Sequence, residues 1–214
     1  MQCAVGRGDV RIVGVGRREA PIPPGAKMEM IVAEPRRWND VIAATNASVL
    51  VCALGTTMHK VGKDKSAFRA VDRELVLACG RAAIDAGIDH VIVVSSVGAA
   101  ISSSSFYLQT KAEMETQLRK LGLRRLDVVR PSLLIGSRRD RRMGERLAMS
   151  LAPVFNLFLH GRHRKYRAIR AADVARAILA LVHQRPGGCF VHEFDAMQRV
   201  AERAGDYSAI DASA

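Results

Sequence analysis

No apolar run in this sequence is long enough to cross a bilayer. The longest, Leu147 to Leu159, falls short of the ~20 residues that a membrane helix needs. A stripe of that kind suits a homodimer face or a lid over a substrate. Cysteines are few, and Cys3, Cys52, Cys79 and Cys189 show no CxxC or other zinc spacing. Cys52 and Cys79 sit inside apolar runs and read as small buried hydrophobes. With no secretory pattern at the start of the sequence as given, a reducing, cytoplasmic setting is expected. His160 and His163 stand three apart without a third ligand or a partner acid, so no metal site is expected. Acids are also scarce: 21 Asp and Glu face 33 Lys and Arg, a net charge of +12. The arginines crowd at 138–146 and 162–170, but no aromatics interleave with the first cluster and no nucleic-acid-binding motif is present. Solvated surface, or attraction of an anionic cofactor or substrate, is the preferred account of that charge, and nucleic acid is ranked last.

What is present is an ordinary globular composition, 49% hydrophobic and 25% charged, over 214 residues. That is enough chain for one domain with a real core. Short apolar strands alternate with helical patterns along its length. Strands are expected at Val10–Val15, Met28–Ala33, Val49–Leu54, Val91–Val94, Asp127–Arg130 and Cys189–Glu193. The run Val49–Leu54 reads as a central parallel strand covered on both faces. Helices are expected at Trp38–Thr45, Ala67–Ala86, around Tyr107–Leu121, from Ser137 toward Leu159, at Ala171–His183 and on to Ala204. Met1–Gly8 reads as the last turns of a helix. This alternation predicts an α/β fold with a doubly wound parallel sheet. One domain over 1–204 is expected, with 137–170 on the substrate side and 205–214 a flexible tail.

The chemistry gathers between Val94 and Met114. Tyr107 and Lys111 are four apart and share a helix face. A lysine charge one turn from a phenol favours the phenolate, and a phenol so placed can exchange a proton with a carbonyl or alcohol oxygen. Ser95 and Ser96 follow the strand Val91–Val94, within reach of the same oxygen. Ser96 is slightly preferred. Elsewhere, Gly55 and Thr56 end the run Val49–Leu54, where bare backbone admits a ligand. Arg17 and Arg18 follow the strand Val10–Val15. In a dinucleotide fold an arginine there accommodates a 2′-phosphate, and no carboxylate competes, so NADP is expected over NAD.

The order strand, Ser95-Ser96, loop, Tyr107-x-x-x-Lys111 resembles the short-chain dehydrogenase/reductase superfamily. With Leu54-Gly55-Thr56-Thr57, Val71-Asp72, Arg130-Pro131 and Lys165-Tyr166-Arg167, the chain resembles its atypical branch, the NmrA-like reductases related to the Tat-interacting oxidoreductase. The resemblance covers roughly Val10 to Arg199. It implies a Rossmann-like fold and NADPH as cofactor. It implies Tyr107 as acid/base, Lys111 on the nicotinamide ribose, Leu54 and Gly55 beneath the pyrophosphate and ribose, and Arg17 and Arg18 at the adenine-side phosphate. The loop carrying Leu134 would line the nicotinamide, and Arg142 would reach a phosphate. The family opens with a strand and a glycine-rich G-x-x-G-x-x-G turn. Gly6, Gly8, Gly14 and Gly16 do not supply one here, so the expectation is a chain truncated at its first strand. That strand would sit mid-sheet, between strands two and four. The implied activity is hydride transfer from NADPH to a small carbonyl or nucleotide-sugar substrate. The alternatives are a non-catalytic NADP-binding redox sensor and a nucleotide-sugar epimerase.

Overall fold

Short strands rich in Val and Ile, each followed by a helix or loop that returns the chain, can pair only in parallel. This is what the chain builds. The computed structural model describes the backbone of residues 1–25, 27–135 and 161–211, and the side chains of these except 162 and 204–211. The strands are β1 (Ile12–Gly16), β2 (Met28–Val32), β3 (Leu50–Cys52), β4 (His90–Val94), β5 (Arg125–Val129), β6 (Leu134–Ile135), β7 (Ile169–Arg170) and β8 (Gly188–His192). The helices are α1 (Trp38–Ala44), α2 (Lys65–Arg69), α3 (Val76–Asp85), α4 (Phe106–Arg119), α5 (Ala171–Val182) and α6 (Phe194–Asp211). A π-helical turn, Ala70–Leu75, joins α2 to α3.

Every strand pair is parallel, and the main sheet runs β3-β4-β5-β8. Its two faces bury alternate residues of one strand. Val91 and Val93 of β4 enter the core made with α1, α3 and α4. Ile92 enters the second core, with Val174, Ala177 and Leu181 of α5 and Phe194 and Met197 of α6. Gly80 brings α3 against α4, since a Cβ there would lie 2.8 Å from Leu118 Cδ2.

The chain departs from expectation at β3. A run of six apolar residues predicts a covered central strand, but only Leu50–Cys52 pair, and Val51 is 40% exposed. Pairing, rather than hydrophobicity, sets a strand's coverage. Among the described residues β3 pairs only with β4, and β1 only with β2. The sheet therefore divides into β1-β2 and β3-β4-β5-β8, and the division falls where the family resemblance puts its first strand. Met1–Gly8 contributes one 3-10 turn, Gln2–Ala4. At the other end α6 runs on to Asp211, past the helix end expected at Ala204; no proline interrupts it. The expected helix at 137–159, with the Leu147–Leu159 stripe and most of the 138–146 arginine cluster, lies outside the described residues.

One polar centre crosses the main sheet. Asp127 of β5, fully buried, accepts from His90 Nε2 of β4 (2.8 Å), His192 Nε2 of β8 (2.7 Å) and, twice, Arg125 (2.6 and 2.8 Å). Burial alone would raise its pKa. The hydrogen bonds from His192, His90 and Arg125, with the Arg125 charge, outweigh burial and hold the carboxyl well below the usual range. Arg125 also donates to Pro186 O at 2.5 Å and stacks over Phe190. Three strands are thus fastened through one carboxylate.

Candidate functional site

The carboxyl ends of β1, β3 and β4 release the three segments that the sequence singles out. Ser95 and Ser96 follow β4 and differ in what they touch. Ser95 is buried. Its N–H donates to Val129 O (2.7 Å) and its hydroxyl to Glu115 Oε1 (2.5 Å). Glu115, 1% exposed on α4, is held from the other side by Arg130 through Nε (2.9 Å) and Nη2 (2.5 Å). Ser95 and the Arg130 of the Arg-Pro pair therefore tie the ends of β4 and β5 to α4. Ser96 keeps only a long bond, 3.4 Å, to Val97 O.

Helix α4 begins at Phe106, directly after the serine-rich loop. Ser105 occupies the cap position without a side-chain capping bond, although Ser103 Oγ accepts from the Ser105 N–H. Tyr107, half-exposed, presents its ring edge-on to Phe68 of α2, with centroids 5.9 Å apart. Lys111, one turn on, is buried, and its Nζ lies 2.9 Å from Asp72 Oδ1. The other oxygen of Asp72 accepts from the Thr56 N–H at 2.7 Å. A Cβ on Gly55 would meet Asp72 Oδ1 at 3.4 Å and Lys111 Nζ at 4.0 Å. The loop after β3 and the reactive face of α4 thus converge on one carboxylate.

Asp72 is the residue that spacing alone missed as part of the site. It lies in the π-helical turn, a feature often found at functional sites. A signal was present: Asp72 falls four residues after Phe68, an acid on an otherwise apolar stripe. A carboxylate there needs a buried partner.

Leu54 packs against the first core. Leu134 pairs with Ile169 across β6 and β7 and packs on the second core. Arg17 and Arg18 stand exposed just beyond β1. Arg142 lies outside the described residues. A surface cavity of about 380 Å³ is lined by Lys65, Ser66, Arg69, Ala70, Glu74 and Phe106. It shares no lining residue with the Tyr107 group. No three-ligand metal cluster and no helix long and apolar enough to cross a membrane occur among the described residues.

Residues 27–163 match the HIM1 family. The chain belongs to the HIM1 family. It is 30% identical over 188 residues to the mitochondrial protein fmp52 of Emericella nidulans, covering 83% of this chain and 80% of that one. A 97-residue stretch is 44% identical to protein HTATIP2 of Rattus norvegicus, covering 45% of this chain and 39% of the relative. The atypical short-chain, NmrA-like resemblance stands with these HIM1 relatives. In three dimensions the chain is similar to MoeE5 in complex with UDP-glucose and NAD (TM-score 0.63, 17% identity, 93% of this chain and 74% of that one). It is also similar to the dTDP-4-dehydrorhamnose reductase of Bacillus anthracis in complex with NADP (TM-score 0.59, 12% identity, 91% and 81%). At these identities the likeness establishes the Rossmann-like fold.

One expectation is overturned. The HIM1 relatives from Emericella nidulans, Candida albicans and Saccharomyces cerevisiae are named mitochondrial, against the cytoplasmic setting expected here. Unpaired cysteines report a reducing environment, not which compartment provides it.

Proposed function

We propose that this HIM1 chain is a nicotinamide-dinucleotide-dependent oxidoreductase that reduces a carbonyl group. The observation that carries this reading is the Lys111–Asp72–Thr56 connection, which fixes the lysine of the Tyr107 pair against the Gly55 loop. The residues suit the nicotinamide half of a dinucleotide: Gly55 leaves a bare backbone against Asp72 and Lys111, and a buried cation stands ready for the ribose hydroxyls. When bound, the dihydronicotinamide would supply the hydride.

The chain's residues do the rest. Ser96, whose hydroxyl is weakly engaged, holds the carbonyl oxygen in preference to Ser95, whose hydroxyl is committed to Glu115. Tyr107 delivers the proton to that oxygen. Lys111 binds the ribose and sets a positive field near the phenol. Asp72 positions Lys111. Leu54, Gly55 and Thr56 lie under the ribose and pyrophosphate, Leu134 borders the nicotinamide side, and Arg142 reaches a phosphate. Arg17 and Arg18, with no acid beside them, favour NADPH over NADH. The names of the fungal relatives favour a mitochondrial setting.

Calorimetric titration of NADPH, with NADH as control, tests the cofactor. NADPH oxidation across aldehydes, ketones and nucleotide sugars tests turnover. Tyr107→Phe should lower turnover by about 100-fold or more while leaving NADPH affinity within about twofold; undiminished turnover refutes the assignment. The complexes named for MoeE5 favour a second substrate reading, a nucleotide sugar. Tight NADPH binding without turnover on any carbonyl would favour a redox-sensing regulator.

A further inference from the structure

Two thiols lie together directly behind this site. Cys52 ends β3 and Cys79 sits on α3, each 5% exposed and both in the first core. They do not pack as inert apolar groups. The Cys79 thiol donates a hydrogen bond to the Cys52 sulfur, which also accepts from the Leu54 N–H and feels the Lys111 charge. Two donors and a cation around one sulfur favour its thiolate. The Cys79 hydrogen bond, ahead of burial, holds the Cys52 pKa below the ordinary thiol range, and the same contact raises that of Cys79. One sulfur is therefore disposed to be the nucleophile, and its neighbour keeps the proton.

These sulfurs are also wired to the site. Cys52 takes the Leu54 N–H, two residues before Thr56 gives its own N–H to Asp72, which holds Lys111. We propose that Cys52 and Cys79 form an oxidisable dithiol, at which a peroxide closes a disulfide between β3 and α3 and so weakens dinucleotide binding by the Leu54–Thr56 loop. The Cys52 thiolate attacks one peroxide oxygen and the O–O bond breaks, giving a sulfenic acid and releasing hydroxide. The Cys79 sulfur then attacks the Cys52 sulfur, an S–S bond forms, and water leaves. Two electrons pass from the sulfurs to the peroxide, and a small-molecule or protein dithiol reverses the step by exchange. The Cys52 sulfur, now bonded to carbon and sulfur, is a far poorer acceptor for the Leu54 N–H. The effect on binding rests on the dinucleotide site proposed above; the dithiol does not.

The test uses the full chain carrying Cys3→Ser and Cys189→Ser, so that only the buried pair can react. After hydrogen peroxide, non-reducing peptide mapping should show one Cys52–Cys79 cross-link, with loss of about 2 Da restored by dithiothreitol. With Cys79→Ser added, Cys52 should instead be trapped as a sulfenic acid by dimedone. Thiols that stay unmodified, or a Cys52 that passes to the sulfinic acid beside a free Cys79, overturn the dithiol. The cross-linked chain should bind NADPH about tenfold more weakly than the reduced chain; equal affinity overturns the coupling to the loop. A chain that cross-links yet binds no dinucleotide even when reduced confirms the dithiol and tells against the dinucleotide site.

Discussion

Two buried carboxylates, Asp127 and Asp72, do opposite work in this molecule. Asp127 is ringed by four donor contacts from three neighbouring strands. All of them come from rigid elements of the main sheet, and nothing is left for a ligand. Asp72 sits in a widened helical turn and holds one ammonium and one loop amide. Both of its partners border the Tyr107 face. A saturated buried charge stabilises a fold by making its parts mutually dependent. A sparsely held one at a strand's carboxyl edge positions groups for something else. The number and origin of the donors separates scaffold from site here more sharply than burial, which is nearly the same for both.

The largest effect expected from breaking this contrast is on stability. Asp127→Ala leaves Arg125 buried without its counter-charge, so urea denaturation should show a loss of about 3–5 kcal/mol. Asp72→Asn keeps the shape but removes the charge facing Lys111. It should cost less, about 1–3 kcal/mol, while NADPH affinity falls about tenfold. Should Asp72→Asn destabilise as much as Asp127→Ala and leave affinity untouched, Asp72 belongs to the scaffold. Replacing both partners, Asp72→Leu with Lys111→Met, should return stability to within about 1 kcal/mol of the starting chain and still bind NADPH poorly.

Acid gives a smaller effect of defined sign. Because Asp127 is held below its unfolded value, it contributes its stability fully above about pH 4. That stability is lost as pH falls further, toward the folded-state value. Asp9, brought down to about 2 mainly by its Arg7 hydrogen bond, titrates in the same window. The comparison to make is therefore the slope of stability against pH below about 4, which should be shallower in Asp127→Asn than in the unsubstituted chain. Equal slopes would remove Asp127 from the account. The smallest effect is at Gly55: a methyl 3.4 Å from Asp72 Oδ1 should change stability by about 0.5 kcal/mol or less, so a loss of NADPH affinity in Gly55→Ala would report contact with the ligand.

Periodicity made the order of strands and helices legible, and a four-residue spacing made Tyr107 and Lys111 legible, because both are local properties of the chain. The partners were not local. Lys111 meets an acid from another helix, and Ser95 meets an acid a full helix later, which is why Ser95 and Ser96 looked equivalent in sequence. Asp127 lies in the strand expected at Asp127–Arg130, yet the two histidines that complete its surroundings come from other strands. The length of β3 was overestimated for a related reason: an apolar run shows what wants burial, and the neighbouring strand decides how much of it is paired.

The widened turn at Ala70–Leu75 bears on how this helix can change in length. In a regular helix, removing one residue swings every later side chain by about 100°. Removal of Lys65, or of a residue in α3, would turn one buried face away from the sheet. Within the π-helical turn the surplus residue is already accommodated, and deleting Ala70 can close it to an ordinary turn, with Phe68 and Cys79 keeping their faces. The Lys65–Asp85 helix should therefore tolerate a one-residue deletion at this turn better than elsewhere, and what it gives up there is the placement of Asp72.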